Sequence, residues 1–144
     1  MRNLVQFEKF TRLAEQAVPD QRASAKDTLD AYKKDPTVRS TINQALTSNA
    51  NYSALFNAIK SYWTKQVPYL KNKPQNELTD TETNLLDTIK TKFKNGGTAQ
   101  EIEEYAVGKI LSGHIKELNF NKDKKTFTID SYTETAYDKT IKAK

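Results

Sequence analysis

Two capping boxes set the frame for this chain. Thr79-Asp80-Thr81-Glu82 and Thr98-Ala99-Gln100-Glu101 each place a hydroxyl residue at a helix entry and a Glu three residues later. In that arrangement each side chain satisfies the other's backbone N–H, which leaves little choice about where a helix begins. Leu85, Leu86, Ile89 and Phe93 follow the first box at helical spacing, and Ile102, Ala106 and Ile110 follow the second. Asn95-Gly96-Gly97 lies between them, where Gly can take the left-handed position that ends a helix. The spacing predicts two helices joined by a tight glycine turn. The second has two readings. It runs on to about Leu118 with Gly108 and Gly113 inside it, each costing roughly 1 kcal/mol, or it breaks near Gly108 and leaves 109–118 as a short helix.

Downstream, Glu117-Leu118-Asn119-Phe120 and Thr126-Phe127-Thr128-Ile129 alternate across an Asn-Lys-Asp-Lys-Lys turn. This predicts a β-hairpin with Leu118 and Phe120 facing Phe127 and Ile129. Residues 131–144 are expected to fray, with an added edge strand as the alternative. Upstream, apolar spacing predicts helices over 3–17, 21–34 (capped by Asp20), 36–47 (Asp35-Pro36 start) and 52–67. The last carries Leu55, Phe56, Ile59, Tyr62, Trp63 and Val67, and Pro68 is expected to stop it. The stretch 69–78, with Pro74 and few apolar residues, reads as a linker or long loop. The fold class is therefore mainly α, a bundle of about six helices with a C-terminal hairpin. It divides into a helical part over 1–73, a helix-turn-helix plus hairpin over 79–130 and a tail, or closes into one compact domain.

Charge is unevenly placed. The net charge is +5, but residues 1–76 hold 12 Lys/Arg against 6 Asp/Glu (+6), and residues 77–144 hold 11 against 12 (−1). From Pro36 to Asn76 there is no acidic residue. Such a field favours polyanions or acidic protein faces. Aromatic content of 10% supplies a core despite a mean hydropathy of −0.80. No apolar run approaches membrane-spanning length, the first ten residues lack a signal-peptide core, and cysteine is absent, so a cytoplasmic setting without disulfides is expected.

The inventory for catalysis is poor. His114 is the only histidine and there is no Cys, so neither a His/Cys metal site nor a Cys–His pair can be built. Glu101, Glu103 and Glu104 fall in a first helical turn, where negative charge complements the helix dipole. The four glycines match no nucleotide-binding spacing. No enzyme, no cofactor and no metal are expected, and His114 is expected to be structural.

The order helix, glycine turn, capped helix and hairpin over 79–130 resembles winged-helix domains. The resemblance implies a recognition segment bearing Lys109, His114 and Lys116, and a wing bearing Lys122, Lys124 and Lys125 that meets phosphate. A plain reading of those three lysines is that they are turn residues kept in water. The acid-free stretch offers a second polyanion surface: Arg39, Lys60, Lys65, Lys71 and Lys73, with Tyr52, Tyr62, Trp63 and Tyr69 interleaved, a pattern that suits stacked bases of a single strand. Against that, Tyr62 and Trp63 fall on the core stripe of their helix. The expected function is a small non-enzymatic accessory protein contacting DNA or RNA. The alternative is a protein-binding module of phage or plasmid type, using Tyr62, Trp63 and Tyr69 against an acidic partner.

Overall fold

Helix starts follow the side chains that can cap them. In the computed structural model, which describes residues 22–144, α1 (Ala25–Lys34) opens where Ser24 accepts the Asp27 N–H, and α2 (Pro36–Ser48) where Asp35 accepts that of Thr37. Asn49 caps α3 (Ala50–Asn72), and the two capping boxes close as expected at α4 (Asp80–Lys92) and α5 (Ala99–Gly113). Strands β1 (Leu118–Asn121) and β2 (Thr126–Ile129) pair antiparallel with Leu118 opposite Ile129 and Phe120 opposite Phe127. The helix expected over 3–17 and the Asp20 cap lie outside the described residues.

Five expectations change. The helix expected from 21 begins at 25, because the chain before it is drawn to the hairpin. Arg22 bridges Asn121, the Ala23 N–H donates to the Phe120 carbonyl at 3.0 Å, and the Arg22 guanidinium donates to the Ile115 and Lys116 carbonyls. Pro68 does not stop α3, which continues to Asn72. Pro68 and Thr64, whose carbonyl loses its helical donor, are both exposed residues, and the extra turn buries Leu70 to 1% exposure. The expected linker is correspondingly short: the last turn of α3, then a 3₁₀ turn, Gln75–Glu77. α5 passes through Gly108 and ends at Gly113, so Lys109 is helical while Lys116 sits in the turn before β1. Gly108 is where α1 crosses, and a Cβ there would stand 3.1 Å from a Leu29 methyl. Finally, residues 131–144 form α6 (Ala136–Lys142), capped by Thr135 and Asp138, with Ile141 buried.

The described chain is thus mainly helical with a C-terminal two-stranded hairpin. Its core runs from Tyr32, Ile42 and Leu46 through Phe56, Ile59 and Trp63 to Ile89, Ile110 and Phe120. Trp63 is the junction: its ring meets Phe93 at 5.7 Å and Tyr105 at 5.5 Å, edge-on in both cases. Gly97, with φ +96°, turns the chain where its missing Cβ would lie 2.9 Å from Val67 Cγ1 on α3.

Candidate nucleic-acid interface

α3 buries one side and presents Ser61, Thr64, Lys65 and Tyr69 on the other. Along that side α3, α4 and α6 border an open groove of about 790 Å³, lined by Tyr62, Lys65 and Tyr69 from α3, Glu82 and Leu85 from α4, and Ile141, Lys142 and Lys144 from the C-terminal end. Tyr69 is 50% exposed. Lys144 Nζ stands 5.9 Å from the centre of the half-buried Tyr62 ring. The groove therefore joins two of the three expected aromatic anchors to one expected lysine and to two lysines of the C-terminal segment. Trp63, the third anchor, is 4% exposed and belongs to the core.

The carboxylate of this groove, Glu82, is engaged internally, as are Glu103 and Glu104, which line the neighbouring concavities. Glu82 accepts from the Thr79 N–H at 3.0 Å, from Lys73 at 2.9 Å and from the Tyr69 hydroxyl at 2.8 Å. The Thr79 amide first, then Lys73 and Tyr69, push its carboxyl down to about 2. Glu103 accepts from Tyr32 at 2.8 Å and from Arg39 at 3.1 Å, and Glu104 from Arg39 at 2.8 Å. Among the described residues neither Lys65 nor Lys144 has an acidic side-chain partner, and Lys144 lies over the Tyr62 ring. Lys142 is held by Tyr132 and Glu134 at 3.0 and 3.5 Å.

The remaining expected residues scatter. Arg39 is locked between Glu103 and Glu104 with its guanidinium 4.5 Å over the Tyr32 ring. Lys60 lies 4.1 Å over Phe56, beside a shallow hollow shared with Lys65. Lys71 donates to the Gly96 carbonyl and braces the glycine turn, while Lys73 belongs to Glu82. At the hairpin tip Lys125 reaches Asp35 at 2.8 Å and Lys122 reaches Asp27 at 3.7 Å, so two of its three lysines fold back onto α1 and its C-cap. Lys124 and Lys116 are exposed, and neither borders a groove described here.

A second groove, about 830 Å³, runs between α1, the α4–α5 turn and α5. Lys33, Lys92, Lys94 and Lys109 line it with Tyr105, over a floor of Leu29 and Gly108. Its two carboxylates are also engaged: Glu101 by the N–H groups of Asn95, Gly97 and Thr98, and Glu104 by Arg39 and Gln100. Lys109 Nζ lies 5.8 Å from the Tyr105 ring and 5.1 Å from that of Tyr137. Burial first, then the neighbouring Tyr105 and Asp138, pushes the Tyr137 hydroxyl up to about 12.

His114 is 1% exposed. Its Nε2 meets Asp138 Oδ2 at 2.8 Å, and Asp138 also accepts from the Tyr132 hydroxyl and the Thr135 N–H, both at 3.1 Å. Tyr132 stacks on the imidazole and Tyr52 meets it edge-on. The pair seals α6 onto the body and offers no open face for a substrate. Among the described residues no group of three His, Asp or Glu side chains could hold a metal ion.

The lysines that sequence reasoning missed are Lys33, Lys92, Lys94, Lys142 and Lys144. Lys92 and Lys94 continue a basic run from Lys90 that was legible in the sequence, whereas the place of Lys33, Lys142 and Lys144 beside a groove is set by the fold. No family model, curated protein or solved structure matches the chain. Among the described residues, no helix is long and apolar enough to cross a membrane.

Proposed function

We propose that this chain is a non-enzymatic accessory protein that holds single-stranded nucleic acid in the groove between α3, α4 and α6. One observation carries the reading: the bordering carboxylate, Glu82, is engaged by Lys73, Tyr69 and Thr79, while Lys65 and Lys144 stand beside Tyr62 and the exposed Tyr69. Lysines there neutralise phosphates, and a tyrosine ring gives a base a face to stack on, a combination tolerant of sequence. The groove is built from helices, and Glu82 already holds Tyr69, so the ordering required on binding falls mainly on the side chains of Lys65 and Lys144.

Fluorescence anisotropy with a labelled oligothymidylate at low salt tests this. Binding is expected to weaken with salt, and changing Lys65 and Lys144 to Gln is expected to lower the log–log salt slope by about 1.4, at roughly 0.7 per phosphate contact on a single strand. Tyr69→Ala is expected to cost about 1–3 kcal/mol of binding. Absence of binding to any oligonucleotide, with retention on an acidic peptide, would transfer the groove to the protein-binding alternative.

A further inference from the structure

We propose that the groove between α1 and α5 is the second half of the same strand-binding track, so that one single strand occupies both grooves and crosses the molecule beside Tyr137 and Lys109. This rests on the function proposed above. Three features support it. First, the two grooves share the pattern of engaged carboxylates and unengaged lysines. Glu101 and Glu104 are held by backbone amides, Arg39 and Gln100, and Lys33, Lys92 and Lys94 have no acidic partner among the described residues. Four ammonium groups in one concavity repel one another, and a polyanion relieves that repulsion.

Second, the grooves are neighbours through their rings. Trp63 touches Tyr62 of the first groove at 5.3 Å and Tyr105 of the second at 5.5 Å, so those two rings are separated by no more than the sum of the two contacts. Third, cation and ring alternate along the facing edges of the two grooves. Lys144 lies over Tyr62 in the first, and Lys109 of the second lies near both Tyr105 and the 37% exposed Tyr137, a ring that lines neither groove. A strand leaving the first groove thus meets the Tyr137 face and Lys109 on its way to Lys33, Lys92 and Lys94. A duplex would not fit this alternation, because its bases are already stacked on each other and present no free faces to tyrosine rings.

Oligothymidylates of about 5 and about 15 nucleotides, the range over which such grooves are filled, separate the track from the single groove. The longer strand is expected to bind at least ~10-fold tighter per site, with a steeper salt slope. Changing Lys33, Lys92 and Lys94 together to Gln is expected to lower the slope for the long strand by about 2 and leave the short one unchanged. These lysines are exposed, and an unchanged far-UV circular dichroism melt confirms that the fold is kept. If the triple variant binds the long strand as the unaltered protein does, the track fails and the first groove stands. If neither length binds, both fail. A polyglutamate chain that binds through the three lysines while leaving oligonucleotide binding untouched also overturns the track, since the second groove then serves an acidic protein.

Discussion

Asp138 is the polar tie between the C-terminal segment and the body. It accepts from His114, Tyr132 and the Thr135 backbone, and burial pushes its carboxyl up while the Thr135 and His114 contacts outweigh burial and hold it below the ordinary range. A group lowered in the folded state stabilises above its unfolded value of about 3.9 and loses that contribution as pH falls through the lower folded value. Stability is therefore expected to fall below about pH 4. Asp138→Asn should cost about 2 kcal/mol at neutral pH, flatten that acid limb in urea titrations, and speed amide exchange in α6 first. Gly97 acts through its backbone: its N–H donates to Glu101, and its positive φ and missing Cβ let the turn close on α3. With φ +96° and Val67 2.9 Å from where a Cβ would stand, Gly97→Ala is expected to destabilise by more than about 1 kcal/mol, read as a lower denaturation midpoint at constant slope.

At the scale of elements, α3 shows how packing overrides a local breaker. Pro68 lies within the helix and is exposed, while Val67 and Leu70 on either side are buried. Pro68→Ala restores one helical hydrogen bond and removes the ring clash, against some loss of chain stiffness in the unfolded state. A gain of about 2 kcal/mol is expected in thermal unfolding. The hairpin shows the reverse case, a local signal that held. Its alternation gave the register, and the bridge from Arg22 and Ala23 docks it on the start of α1. Reversing Lys122, Lys124 and Lys125 to Glu removes the Lys122–Asp27 and Lys125–Asp35 pairs, both surface pairs of a kind worth at most about 1 kcal/mol. If the grooves carry binding, the same triple should leave the salt slope for oligonucleotides unchanged.

Across the whole molecule, Trp63 is the one tryptophan in the sequence and sits where α3 packs against Phe93, at the end of α4, and Tyr105 of α5. Its fluorescence therefore reports the junction, whereas circular dichroism reports helix everywhere. The two signals are expected to give coincident urea transitions. An earlier fluorescence transition would show α3 parting from Phe93 and Tyr105 before the helices melt. Bound oligonucleotide should shift both transitions together, because a ligand that binds only the folded state stabilises it by mass action.

What the sequence determined by itself is the set of boundaries with their own chemistry. The capping boxes at Thr79 and Thr98, the Asp35-Pro36 start, the glycine turn and the hairpin register each depend on residues within a few positions of one another. Where a boundary depended on a distant partner, local reading missed it: α3 continues because Leu70 is buried, and α1 starts late because Arg22 and Ala23 pair with Asn121 and Phe120. α6 is a different case, since its Thr135–Asp138 capping box is local and was legible, and the contact of Asp138 with His114 only ties the helix to the body. The candidate site follows the same division. Lys65, Lys109, Tyr62 and Tyr69 were legible as basic and aromatic residues. That Arg39 and Lys73 are held by carboxylates, that Trp63 is buried, and that Lys33, Lys92, Lys94 and Lys144 line open grooves are outcomes of which acid meets which base across the fold. Sequence composition counts charges, and only tertiary packing decides which of them remain open to a partner.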